Sequence, residues 1–394
     1  MVALSLPDNY DAEMAGRVMT FALLAVLMLG AFALPASATA KQKRCPPSGT
    51  GCSLKQVAAE SGIFVGTALS NELSATEKSD ITANFNGVTS ENAFKWSEMS
   101  KTAATTDFAT TDRLVAWARA KKLRLRAHTL IWHRIQNAPW LKAELAAAPD
   151  PAARLRQLLA ERVTKVVGRY RGKVEIWDVI NEPLAIFGAG YDSEDTPLTP
   201  KNIFYTTLGE GYIASAFRLA RKADPKAKLF LNELLWDARI GDPKSDALLA
   251  LVARLKKARV PIDGVGIQAH AMLGTSSPWF PSTTASLKRY IDALGKLGVK
   301  VEITELDVRL PLLADQPDPL AAQAAVYRRV ASACAQARAC TGLTVWGQRD
   351  SDSWLDSYSL TSATAPNRPL LLDGDGKRKL AYRAVAAGLL ERRR

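Results

Sequence analysis

Short β-branched runs alternate with amphipathic stretches rich in Ala, Leu and Arg along almost all of residues 53–388. The pattern predicts strands at 63–68, 85–90, 123–130, 174–180, 228–233, 262–268, 299–304 and 342–347. It predicts helices at 112–121, 151–169, 210–223, 244–258, 284–297 and 319–338. The strand runs are apolar on both faces, as strands covered on both sides by helices are, and a repeat of that kind builds a parallel sheet. Eight such units in 394 residues favour closure into a single (β/α)8 TIM barrel over an open sheet. No Ser/Thr/Pro-rich linker interrupts the span. The expected fold is therefore α/β, with one domain over 53–390. No G-x-G-x-x-G follows a strand and no G-x-x-x-x-G-K-[ST] occurs, so nothing asks for a dinucleotide or nucleoside triphosphate.

Residues 18–34 are the one long apolar run, with Arg17 before it and A-x-A twice behind it, at 36–38 and 38–40. That is the layout of a cleaved secretory signal peptide over 1–40. Asp8, Asp11 and Glu13 are out of character for the basic start of such a segment, and Met14 offers a later one. The chain is thus expected to be secreted, extracellular or periplasmic, and free of the membrane once the signal is removed. Export makes cysteine pairs plausible. The spacing of the four cysteines suggests two local bridges: Cys45–Cys52, in an N-terminal segment over 41–52, and Cys334–Cys340. Neither pair has C-x-x-C spacing and the three histidines lie far from both, so no metal and no cofactor are expected. Net charge is +13, but no dense Lys/Arg block lies inside the chain and no zinc-finger or RNA-binding motif occurs. Nucleic acid is therefore not expected as a partner, and a monomer is.

The polar residues are not scattered. T-S-E-N-A-F-K-W follows the second strand, R-A-H-T-L-I-W-H the third, and W-D-V-I-N-E-P the fourth. L-N-E ends the fifth, G-I-Q-A-H the sixth, I-T-E-L-D the seventh and V-W-G the eighth. The C-terminal ends of barrel strands converge on one face, where catalysis is built. Glu182 and Glu305 each end an otherwise apolar strand. A single glutamate in such a place is ordinarily an ion-pair partner. Two of them, amid tryptophans at one barrel end, are the equipment of glycoside hydrolysis. That chemistry needs one protonated carboxyl and one ionised carboxylate, set apart by their surroundings. Aromatic faces suit the apolar faces of sugar rings.

These motifs, in this order, resemble glycoside hydrolase family 10, the endo-β-1,4-xylanases, from about Ser53 to Tyr382. The resemblance implies a retaining barrel hydrolase acting on xylan and xylo-oligosaccharides by double displacement. Under it Glu182 is the acid/base and Glu305 the nucleophile. Asn181 would bind the sugar 2-hydroxyl, and His270, backed by Asp307, would hold Glu305. Glu91, Asn92, Lys95, His128 and Trp132 would bind sugars on the glycone side. Gln268 would line the cleavage point, and Trp346 and Trp354 would wall it. Cys334–Cys340 resembles a bridge in many relatives. The sequence departs from the family pattern at W-H-R-I-Q-N-A-P-W, 132–140, where Gln136 is displaced. It departs again at Asn232-Glu233-Leu234-Leu235, where N-D-Y-N is usual, which puts leaving-group-side contacts in doubt. Two other readings stay open: a barrel glycosidase for another β-1,4-glycan, and a barrel that binds carbohydrate without cleaving it.

Overall fold

Asp-Pro opens three of the long helices, Pro151–Arg169, Pro243–Lys257 and Pro319–Gln336. Each aspartate accepts from backbone N–H groups of the first turn. Each proline occupies a first position where no hydrogen bond is lost. The computed structural model describes residues 44–394 apart from 135–136, 187, 197–199, 272–282, 359–360, 363–365 and 393–394. The signal segment over 1–40 lies outside the described residues, as does Gln136.

The described strands are β1 (Phe64–Leu69), β2 (Gly87–Ser90), β3 (Arg124–Ala127), β4 (Ile176–Asn181), β5 (Lys228–Glu233), β6 (Gly264–Ile267), β7 (His270–Ala271), β8 (Lys300–Val308) and β9 (Cys340–Val345). Their pairings are parallel. β1 pairs with both β2 and β9, and β6 pairs with β8, so eight strands close into a ring with helices outside it. β7 is an addition that meets only the far end of β8, His270 opposite Asp307. It explains why β8 runs past the expected end at 304.

The third strand is shorter than expected. After Ala127 the His128–Thr129 peptide is cis, and Leu130 N donates to Asp178 O. The six expected helices are present within a few residues of their expected bounds. Shorter ones, such as Ala75–Asn84 and Ile203–Leu208, had too little apolar periodicity to stand out.

Small residues and paired charges fill the barrel interior. Arg126, Asp178 and Glu302 are buried. Arg126 grips Asp178 with two bonds (2.9 and 2.5 Å) and reaches Glu302 at 3.1 Å, while Arg124 meets Glu302 at 2.7 Å. Pairing is what makes such charges tolerable away from water. The Arg126 guanidinium also lies over the Phe230 ring, 4.7 Å from its centre. The last helix, Leu380–Leu389, packs against the first, Leu54–Ser61. Tyr382, in the last helix, accepts from Leu54 N and donates to Asn84 Oδ1. Both expected disulfides are present, Cys45–Cys52 and Cys334–Cys340, with Cα separations of 6.0 and 5.2 Å. No helix among the described residues is long and apolar enough to cross a membrane.

Gly264 tests this packing. A methyl group there would lie 2.2 Å from Phe230 Cζ, whereas at Gly87 the nearest atom would be 3.6 Å away. Gly264→Ala should lower the stability measured by urea unfolding by about 1–3 kcal/mol, and Gly87→Ala by clearly less.

Candidate active site

β4 ends at Asn181, and the next residue, Glu182, has φ 49°, a left-handed backbone unusual outside glycine. It is held there by its own N–H, which donates to Asn232 O at 2.8 Å on β5. Glu305 lies within β8, its N–H donating to Gln268 O at 2.9 Å. Neighbouring strands thus fix both backbones, and both carboxyls are buried.

Glu305 is held from two sides. Asn232 Nδ2 donates to Oε1 at 2.6 Å, and His270 Nε2 faces Oε2 at 3.1 Å. The other ring nitrogen of His270 meets Asp307 Oδ2 at 2.9 Å, and Trp354 Nε1 donates to that same oxygen at 3.0 Å. Burial works against a charged His270, but Asp307 and Glu305 outweigh it and lift its pKa to about 10. The ring is therefore an imidazolium near neutral pH, donating to both carboxylates.

Glu182 sits among donors. Gln268 Nε2 donates to Oε1 at 2.8 Å and Trp132 Nε1 to Oε2 at 3.1 Å. Arg134 forms an ion pair with Oε2 at 2.6 Å. Burial alone would raise the pKa of Glu182. Arg134, Gln268, Lys244 and Trp132 reverse that and pull it down to about 2. The surroundings of Glu182 are thus hydrogen-bond donors and a cation.

One line of amides joins the two carboxyls. Gln268 Nε2 bonds Glu182 and lies 3.3 Å from Asn181 Oδ1; Asn232 Nδ2 bonds that same oxygen at 2.9 Å as well as Glu305. Thr304 Oγ1 fixes the other end of the Asn232 amide at 2.7 Å. Gly266 leaves room for it, since a methyl group there would lie 2.1 Å from Asn232 Oδ1.

The other expected residues gather on the same barrel end. Lys95 Nζ donates to Asn92 Oδ1 at 2.9 Å and stands over the Trp132 ring at 4.9 Å. Burial pushes the Lys95 ammonium down in pKa and Glu91 up, each eased by the other's charge. His128 Nδ1 pairs with Asp178 Oδ2 at 3.0 Å and lies 4.0 Å from Glu305 Oε1. Trp346 meets His128 and His270 edge-on at 5.3 and 6.1 Å, and Trp354 lies against His270 at 5.1 Å.

Asn232, Arg134 and Glu233 join the site without a role expected from the sequence. Asn232 and Glu233 stood in the fifth strand-end motif, so a signal existed. Glu233 is buried against Lys244 at 3.1 Å and accepts from Leu184 N. Arg134 carried no signal, because its partners Glu182 and Asp192 lie far along the chain.

The family profile described as Glycosyl hydrolase family 10 matches residues 53–388. Endo-1,4-beta-xylanase A of Phanerodontia chrysosporium is 33% identical over 84% of this chain and 75% of its own. Endo-1,4-beta-xylanase A of Humicola insolens is 34% identical over 79% of this chain and 76% of its own. Among solved structures, native xylanase 10B from Thermotoga maritima superimposes with a TM-score of 0.73 at 29% identity, covering 86% of this chain and 98% of that one. Xylanase 10B from Thermotoga petrophila RKU-1 in complex with xylobiose gives 0.73 at 28% identity, over 86% and 97%.

Asn232→Ala removes one donor from Glu305 and one from Asn181. It should lower kcat about 10²-fold, the usual cost of a misplaced reacting group. Circular dichroism of the variant should match that of the parent.

Proposed function

The chain belongs to glycosyl hydrolase family 10, and from that premise we propose that Glu182 and Glu305 together cleave β-1,4-xylosidic bonds with retention of configuration. The enzyme is a glycoside hydrolase, an endo-1,4-β-xylanase acting on xylan, as its relatives' names describe them. The observation that carries the residue assignment is the line of amides between two buried carboxyls at one barrel end, with the His270 ring behind one of them.

Glu305 is the nucleophile. His270 and Asn232 each donate to one of its oxygens, which fixes its direction of attack. Glu182 gives a proton to the glycosidic oxygen as the C1–O bond breaks and Glu305 bonds to C1. The leaving chain departs as an alcohol, and a glycosyl ester remains on Glu305. Glu182, now a carboxylate, takes a proton from water. The resulting hydroxide attacks C1 and Glu305 leaves. Two inversions give net retention. Retention calls for the two carboxyls to lie about 5–5.5 Å apart. Asn181, beside Glu182 and linked to Glu305 through Asn232, would bond the 2-hydroxyl, and Trp346 and Trp354 would cover the sugar. Glu91, Asn92, Lys95, His128 and Trp132 form the glycone side.

Secretion of residues 41–394 after removal of the signal completes the proposal. Two disulfides in a chain with no free cysteine among its described residues fit an oxidising compartment.

Glu305→Gln should lower kcat on xylan by about 10⁴-fold or more with the fold intact. A variant with normal turnover overturns the assignment. Proton NMR of early products should show the β-anomer first; the α-anomer first would exclude double displacement.

A further inference from the structure

Arg134 is not part of the machinery described above, yet it makes the shortest contact to the acid/base carboxyl. It follows His133 in the loop after β3 and is 8% exposed. Its Nε lies 2.6 Å from Glu182 Oε2, and its Nη2 lies 3.1 Å from Asp192 Oδ2. Its three guanidinium nitrogens are buried and none has a hydrogen-bond partner among the described residues, so both contacts are ion pairs without hydrogen-bond geometry. The guanidinium is thus suspended between two carboxylates and anchored to no backbone carbonyl among those residues.

A general acid must carry a proton when the leaving group needs one. In this structure each oxygen of Glu182 already faces donors: Gln268 and the more distant Asn181 on Oε1, Trp132 and Arg134 on Oε2. Of these only Arg134 brings a full charge. Only Arg134 has a second carboxylate within reach, so it can leave without being stranded. Asp192 is prepared to receive it. His133 Nε2 bonds that carboxylate at 3.1 Å, and burial holds the His133 pKa down, so the imidazole donates as a neutral ring.

We propose that Arg134 is a positioning residue for Glu182: it clamps the carboxylate in the free enzyme and swings to Asp192 when a sugar chain is seated, so the acid takes up its proton only in the substrate complex. The inference rests on Glu182 being the acid/base. It concerns a residue in W-H-R-I-Q-N-A-P-W, 132–140, where this chain departs from the family pattern.

The other charges around Glu182 are common to both states. Lys244 and Glu233 form their own pair beside it, and Lys95 with Glu91 stands on the β2 side. His133 and Tyr358 also feel its charge, and Glu305 with His270 lies across the site. Lys244 keeps favouring the anion when Arg134 is removed, so the change will be partial.

The test is a pair of pH–rate profiles for the parent, Arg134→Ser and Arg134→Lys on a neutral xylo-oligosaccharide. The alkaline limb of kcat/KM reports the acid in the free enzyme, and that of kcat reports it in the complex. In the parent the kcat/KM limb should lie at lower pH than the kcat limb. In Arg134→Ser it should rise by about 1 unit or more and approach the kcat limb. Arg134→Lys, which keeps the charge, should stay near the parent. If Arg134→Ser lowers rates equally at every pH with both limbs unmoved, the inference fails and the role is structural. Glu182→Ala separates the two readings: if it still cleaves xylan normally, the acid/base assignment itself falls. If it loses xylan cleavage while the Arg134→Ser limbs stay in place, only the clamp falls.

Discussion

A single side-chain amide ties the two halves of the site together. Asn232 Nδ2 donates to Asn181 Oδ1 and to Glu305 Oε1, while its oxygen accepts from Thr304. Asn232 O, on the same residue's backbone, fixes Glu182 N. One residue at the end of β5 therefore relates the backbone of one carboxyl to the side chain of the other. It can do so only because β4 and β5 pair with Asn181 opposite Asn232. It also needs Gly266, on the next strand, to leave space. Register becomes geometry here: a slip of one residue would turn the amide to the other face of the sheet.

The same economy runs lower in the barrel. Asp178 accepts two bonds from Arg126 and one contact from His128, so the interior charge network reaches the floor of the site. Glu302 completes the network from β8, three residues before Glu305. Buried ions of this kind add little net stability, but breaking one partner leaves a stranded charge. That penalty resists rearrangement of β3, which leads into His128, and of β4 and β8, which carry Asn181 and Glu305.

Much of this was legible in the sequence, for a physical reason. Parallel strands covered on both faces are written as apolar runs, and the polar residues that end them are the ones a barrel collects at its mouth. Glu182, Glu305, His270 and the tryptophans could therefore be named before any geometry was available. Side-chain partnerships across the barrel were harder. Asn232 stood in plain sight within its motif, yet nothing in the order of residues says which carboxylate its amide will meet. Gly266 reads as an ordinary barrel glycine until a neighbour's amide is seen in the space its missing Cβ leaves. Arg134 lay in a segment that departs from the family pattern, where resemblance offers no guide.

The surroundings of Glu182 show what resemblance leaves out. An acid/base group must be a weak acid in the first step and an effective base in the second. A pocket made only of donors favours the base form throughout. Glu233, buried on the adjoining strand and paired with Lys244, repels the Glu182 anion and so pushes the other way. Among the groups that favour the Glu182 anion, Arg134 is the largest influence, ahead of Gln268 and Lys244. The position of one guanidinium then shifts the balance between the two forms of Glu182, and two carboxylates within reach give it two places to be. The catalytic pair comes with the barrel, but the balance between acid and base is set by a loop that this chain does not share with the usual pattern.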